Sequence, residues 1–429
     1  MPDYRHSRLL GPDYYFAVIR GECRNVTRLR VALAVLVMLS ARAGVASAAW
    51  DGSTTLHDIS LQPGNFLDIN SYQFRPSEDI RWYDVENGWR VAGGSLESKR
   101  LYLFTDIRLK QAITPNLNAR LRWSDEEFYA PREPERPQLE LEVRPDAWPV
   151  SFSLLGAPAY AKREADLGLG ATLGARPWNY VRVVWFSPDH YYNKKNDLDN
   201  SYYRRAPGQF AAEAAYKWDE RYKLRLLWQD DRPLEFVLDD QVSVFAYQNR
   251  DYQASFTYQR DAAHTVGVAM RGFHTIQSKD DAGVSRVQDI RYYSVDGYWI
   301  RSLDRDQEWT TGIRYDDFRN AERTPATPAA DFDYVVKTVQ VYTTYRAPFA
   351  PYQAWELGLY VGGASRQRDY VNASVDSPVN KYFETKLYTG WQLFSITQSS
   401  ALTLAVTWNL DDLINDTFDG GAVRFRTEF

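Results

Sequence analysis

From about residue 80 to its end, this chain is a succession of segments in which apolar and polar residues alternate one by one. In Tyr222-Lys223-Leu224-Arg225-Leu226-Leu227-Trp228, one face reads Tyr, Leu, Leu, Trp and the other Lys, Arg, Leu. Leu117 to Trp123, Trp355 to Val361 and Leu402 to Trp408 read the same way. Alternation with period two is the signature of a β-strand, and no apolar stripe of period 3.6 and helical length interrupts it. Every strand is thus two-faced, and the fold must place all the apolar faces out of water together. This explains why the mean hydropathy is only −0.51 in a chain whose residues are 44% hydrophobic and 15% aromatic: each average is taken over an apolar face and a wet one.

A β-sandwich would show the same alternation, so the layout of the turns decides between architectures. Tight turn signals recur at Thr114-Pro115-Asn116, Pro145 to Pro149, Arg176 to Asn179, Trp218 to Arg221, Arg260 to His264, Leu303 to Asp306, Ala347 to Pro351 and Thr397 to Ser400. Between them lie longer polar stretches at 189–201, 278–285, 319–333 and 366–378. Tight turns at one end and long loops at the other describe an all-β, antiparallel up-and-down transmembrane barrel. Eight tight turns, with both termini on the turn side, require about 18 strands beginning with a hairpin at 80–113; 16 is the alternative if 130–175 is divided too finely. Trp148, Trp178, Trp218, Trp299, Trp309 and Trp355 lie next to the turns, whereas Trp123, Trp185, Trp228, Trp391 and Trp408 lie farther along the strands. Eight tilted residues climb on the order of 20 Å, close to the distance between the two aromatic girdles of such a barrel.

The N-terminus places the chain in an exported compartment. The apolar run Val31–Leu39 follows Arg28 and Arg30 and precedes Gly44-Val45-Ala46-Ser47-Ala48-Ala49. That is the layout of a secretory signal peptide cleaved after Ala48. The run is well short of the roughly 20 residues a spanning helix needs. Residues 26–48 are read as the signal peptide, 1–25 as an upstream extension with translation starting near Val26, 49–79 as a periplasmic lead-in or partial plug, and 80–429 as the barrel. Removing 1–48 takes away seven Arg and three acids, so the net charge of −5 becomes about −9. Cys23 leaves with it, and disulfide, zinc-ribbon and paired-thiol chemistry are excluded. The balance of 51 Lys+Arg against 56 Asp+Glu argues against a nucleic-acid partner.

The chain ends in the alternating strand Val423-Arg424-Phe425-Arg426-Thr427-Glu428-Phe429, with Val423, Phe425 and Phe429 on one face. This resembles the terminal strand of bacterial outer-membrane β-barrel proteins of the porin and exopolysaccharide-export class. The resemblance extends to the architecture of 80–429 and to no particular subfamily. It implies location in the outer membrane of a Gram-negative bacterium and insertion by the barrel assembly machinery, which reads Val423, Phe425 and Phe429. It also implies outer-membrane lipid and lipopolysaccharide as neighbours.

If the apolar faces meet lipid, the opposite faces line a lumen. Basic inward candidates are Arg100, Arg108, Lys110, Arg120, Arg122, Arg144, Arg182, Lys217, Lys223, Arg225, Arg271, Arg314, Arg346, Lys386, Arg424 and Arg426. The acids are Asp106, Glu140, Glu142, Glu213, Asp316, Glu356, Glu384 and Glu428, so the lumen is expected to be two to one basic. Tyr102, Phe104, Tyr180, Phe186, Tyr292, Tyr298, Tyr342, Tyr360 and Tyr388 fall on the same face. A basic lumen in a low-dielectric wall enriches anions. Arg is suited to carboxylate and phosphate, and aromatic faces to sugars. The function expected is a channel for small anionic or sugar-like solutes. The alternatives are export of an acidic exopolysaccharide, similar to the alginate exporter and aided by a periplasmic partner, and a non-conducting receptor or scaffold whose Arg pair with the acids and Tyr. No catalytic centre, metal site or cofactor is expected: His57, His190, His264 and His274 have no ligand spacing, with His264 in a turn and His274 facing outward. The acid clusters 196–200, Asp280-Asp281 and Asp411-Asp412 read as solvated loop charge or divalent-cation sites bridging lipopolysaccharide.

Overall fold

The computed structural model describes residues 87–428, except 97–99, 128–137, 146–147, 158–164, 175–177, 192–201, 238–241, 282–283, 305–306, 325–330, 371–378, 395–399, 412 and 415–416. The expected leader, lead-in and Phe429 lie outside the described residues. The chain forms β1 (Gly88–Leu96), β2 (Arg100–Thr114), β3 (Leu117–Glu127), β4 (Gln138–Val143), β5 (Val150–Ala157), β6 (Asp166–Gly174), β7 (Tyr180–Ser187), β8 (Tyr202–Arg205), β9 (Gln209–Trp218) and β10 (Tyr222–Val237). It continues through β11 (Val244–Asp261), β12 (His264–Asp281), β13 (Val284–Asp304), β14 (Gln307–Arg323), β15 (Phe332–Ala350), β16 (Gln353–Tyr370), β17 (Asn380–Phe394), β18 (Ser400–Asn409) and β19 (Phe418–Glu428).

Strands consecutive in the chain pair antiparallel except around β8, where β7 pairs with β9, and β19 returns to β1 in a continuous register from Gly88↔Glu428 to Leu96↔Gly420. β8 and β9 run along the same edge of β10, so the nineteen segments fill eighteen positions of a closed barrel. Closure of β19 on β1 pairs the first and last strands of the sheet, as the interior of a bilayer demands. All eight expected turns fall at one end of the barrel, where β2–β3, β4–β5, β6–β7, β9–β10, β11–β12, β13–β14, β15–β16 and β17–β18 connect. The long loop expected at 278–285 is not present: β12 runs to Asp281 and β13 starts at Val284, so the ladder continues almost to the tip. Asp280 and Asp281 accordingly lie on a strand rather than in a loop. Polarity in this stretch marks strands that have left the membrane, not a break in pairing.

Burial is inverted relative to a soluble protein. Outward residues such as Val181, Val183, Leu226, Val266, Val268, Ile313, Val339, Val341, Leu357 and Leu359 are exposed, while their neighbours in sequence are buried or half-buried on the inner side. This is the apolar band of a membrane barrel. Trp148, Trp299, Trp309 and Trp355 stand exposed near the turns. Trp391 is directly opposite Trp355, so it belongs to this girdle rather than to the farther one expected for it. At the other border of β11–β14 the girdle is made of Tyr252, Tyr293 and Tyr315, aromatic residues as amphipathic as Trp.

Candidate functional site

Among the described residues, three polar groups on the inner face hold expected lumen residues. The first occupies β3–β9. Arg120 Nη1 meets Glu140 Oε2 at 3.1 Å, Arg120 Nη2 meets Glu142 Oε2 at 2.5 Å, and Ser151 Oγ donates to Glu142 Oε1 at 2.6 Å. Arg182 of β7 reaches Glu140 of β4 at 2.8 Å, across two intervening strands. That reach depends on small inward residues between them: Ser151 and Ser153 on β5, opposite Thr172 and Gly170 on β6. Next to them a β-carbon at Gly168 would stand 2.7 Å from the Phe186 ring. The absence of side-chain bulk there lets the sheet curl tightly and closes the ion pair. Tyr180 donates to Glu213 within the same group.

The second group lies on β13–β15. Arg314 Nε donates to Asp316 Oδ1 at 3.0 Å, and its Nη2 donates at 3.0 Å to the Tyr292 hydroxyl, which itself donates to Asp316 at 2.6 Å. Thr338 completes the carboxylate shell at 3.1 Å. The Tyr342 hydroxyl donates to Asp296 at 3.0 Å after crossing over Gly312, its direct register partner. A β-carbon at Gly312 would collide with that ring. The third group joins Arg346, Gln392, Glu356 and Tyr388: Arg346 Nε donates to Gln392 Oε1 at 3.1 Å, and Tyr388 and Gln392 both donate to Glu356.

The expected lumen residues divide accordingly. Arg120, Arg182 and Arg314 are buried and ion-paired in the wall, and Tyr180, Tyr360 and Tyr388 are buried too. Tyrosine lies along the wall instead of projecting from it. Arg225 and Arg271 are half-buried on the inner face of β10 and β12, Arg271 opposite Gln253 and Ser294. Arg100, Tyr102, Arg108, Arg122, Arg424 and Arg426 are placed by register alone, Arg108 opposite Arg122, Arg424 opposite Thr403 and Arg426 opposite Ala401. Val423 is exposed on β19, as its place on the outward face requires.

The expected two-to-one basic excess narrows. Asp231, Asp251, Asp296 and Glu322 are also buried on inward faces, and Glu322 accepts from Arg286 at 2.6 Å and Gln288 at 2.9 Å. Glu322 sits in 319–333, which reads as a loop; the other three are not among the expected inward acids. With them counted, twelve inward acids stand against the sixteen expected basic residues, so the excess is smaller but keeps its sign.

Basic and aromatic side chains meet instead at the two ends. At the turn end Arg225 lies 4.4 Å from the centroid of Trp178, with Lys223 at 5.8 Å from the same ring. Trp178, expected in the lipid girdle, therefore turns toward the inner rim. At the loop end the inward positions of β15–β17 bring Arg368 over Phe332 at 4.6 Å and over Tyr334 at 5.5 Å, and Arg366 over Tyr382 at 5.4 Å. This second cluster was not foreseen, because 319–333 and 366–378 read as loops. At the turn between β11 and β12, outside the membrane band, His264 Nδ1 at 2.8 Å and the amide of Ala263 at 2.9 Å hold the Asp261 carboxyl below its usual range. His264 is thus part of a turn, and His274 faces outward, paired with Asp289 at 3.0 Å. Asp411 is exposed and accepts from the Thr385 amide.

No protein-family model and no curated relative matches the sequence. Among solved structures, the chain is similar to a loop L8 deletion mutant of OmpT, an outer membrane protein of Vibrio cholerae, at 9% identity over 81% of this chain and 98% of that one (TM-score 0.39). It is also similar to a bacterial polysaccharide outer membrane secretin at 9% identity over 81% and 100% (TM-score 0.37). A further likeness is to the outer membrane protein OpdK of Pseudomonas aeruginosa, at 13% identity over 80% and 97% (TM-score 0.40). The closed strand order, the apolar exterior and the polar interior make this chain, on its own geometry, an antiparallel up-and-down β-barrel of the outer-membrane type.

Proposed function

We propose that the barrel is a channel for small anionic or sugar-like solutes, selecting them at its two mouths. The observation that carries this reading is the pairing of guanidinium with aromatic rings at both ends of the inner face, Arg225 with Trp178 and Arg366 and Arg368 with Tyr382, Phe332 and Tyr334. Barrels of 16 to 18 strands are wide enough to leave an aqueous lumen. A guanidinium held against a ring keeps its fork oriented for a carboxylate or phosphate, and the ring offers an apolar face to a sugar. Charges at a narrow mouth act on a permeating ion more strongly than the same charges in bulk water, because the wall focuses their field. The balanced ion pairs deeper in the wall then shape the lumen without trapping the solute.

The test is planar-bilayer recording on the purified protein. Stable single-channel steps with a reversal potential favouring anions are expected in a salt gradient. The absence of stable steps would favour the second reading, a non-conducting receptor or scaffold, which the close pairing of Arg120, Arg182 and Arg314 supports. Cation preference would remove the role given to the mouths.

A further inference from the structure

The outer face of β11–β14 carries a row of charged residues on the loop side of the apolar band. Arg250, His274, Arg291 and Arg319 are consecutive register partners on the four strands. They point away from the lumen, since their chain neighbours Asn249, Asp251, Tyr292, Phe318 and Asn320 are buried on the inner side. The Arg250, Arg291 and Arg319 side chains are 55%, 61% and 55% exposed. Lys337 of β15, opposite Asp317, is exposed on the same face.

We propose that this row docks the phosphorylated headgroup of an outer-leaflet glycolipid, of the lipopolysaccharide kind, against the barrel wall. Height is the first reason. These residues stand ten to thirteen positions from the turn ends of their strands. At the rise and tilt of barrel strands that is on the order of 25 to 35 Å above those ends, where the apolar band gives way to headgroups. Tyr252 and Tyr293 lie two positions nearer the turn end on their strands, as a girdle at that border would. Geometry is the second. Arg250 bonds Asp230 at 2.7 Å, Arg291 holds Asp289 by two bonds at 3.0 and 2.8 Å, and Arg319 holds Asp317 by two at 2.9 and 3.0 Å. Each carboxylate fixes the orientation of its guanidinium. Charge is the third: Arg250, Arg291, Arg319 and Lys337 outnumber Asp230, Asp289 and Asp317 by one, and His274 adds to the row when protonated. A phosphate arriving from the lipid side completes an arginine fork already half occupied, the arrangement in which guanidinium recognises phosphate best.

The test uses the intact barrel in a non-ionic detergent and lipid A, the diphosphorylated anchor of lipopolysaccharide, with binding read by native mass spectrometry. Lipid A is expected to bind about tenfold tighter than its dephosphorylated form, and R291Q/R319Q, which removes two cations, is expected to lose about thirtyfold. An R291K/R319K variant should keep most of the affinity. Equal affinity of the native protein for the two lipids would overturn the proposal whether or not any variant folds. So would unchanged affinity in a folded R291Q/R319Q barrel. Millimolar inorganic phosphate is expected to leave the lipid bound, and its displacement by free phosphate would overturn the assignment to a lipid.

Discussion

Arg182 and Glu140 are both almost wholly buried in the barrel wall, and neither would tolerate that position alone. Removing one partner of a buried pair leaves a charge without compensation and costs about 3–5 kcal/mol, whereas removing both charges costs far less. An R182Q variant is therefore expected to lower stability by about that amount in urea unfolding from detergent micelles, and E140Q/R182Q to recover part of the loss. Arg120, which also binds Glu140, makes the recovery incomplete. If R182Q unfolds at the same urea concentration as the native protein, the pair does not hold the β4–β7 corner together. Arg182 and Glu140 both read as inward-facing in the sequence, but their pairing does not, because alternation reports a face and not which of several acids on that face will be reached.

At the level of the strand, length distinguishes the two halves of the barrel. β11–β16 run 17 to 21 residues, more than a membrane crossing of roughly 9 to 11 requires, so their loop-side ends stand clear of the bilayer. Those ends carry the outer row of arginines on one face and the Arg366–Arg368 aromatic cluster on the other. Their polarity led to expectations of loops at 278–285, 319–333 and 366–378, because hydropathy falls when a strand leaves lipid whether or not its ladder ends. β19 is the strand that closes the ring on β1. Deleting Phe429, the terminal residue of its expected assembly signal, should cut the heat-modifiable, outer-membrane fraction several-fold without changing expression. An undiminished heat-modifiable band would show that assembly does not depend on that residue.

For the whole molecule, the distribution of charge decides what the barrel does. In this acidic chain Arg120, Arg182 and Arg314 are ion-paired in the wall, while Arg225, Arg366 and Arg368 meet aromatic rings at the mouths. Reversing R225E and R368E together is expected to shift the reversal potential toward cations in bilayer recordings. R120E, in contrast, should act on folding and leave selectivity of any assembled channel little changed, because Arg120 is bound between Glu140 and Glu142. A shift produced by R120E and not by R225E/R368E would place selectivity in mid-lumen instead.

The sequence by itself determined the two-faced strands within the membrane band, the eight turns and a ring of about eighteen positions, since period two and turn chemistry are local properties of the chain. The tertiary structure alone decided that Arg182 crosses two strands to Glu140, that Trp178 turns toward Arg225, and that Arg250, His274, Arg291 and Arg319 come into one outward row. These contacts depend on register, curvature and the small residues that permit a close approach, and each of those is set between strands distant in sequence rather than within any one of them.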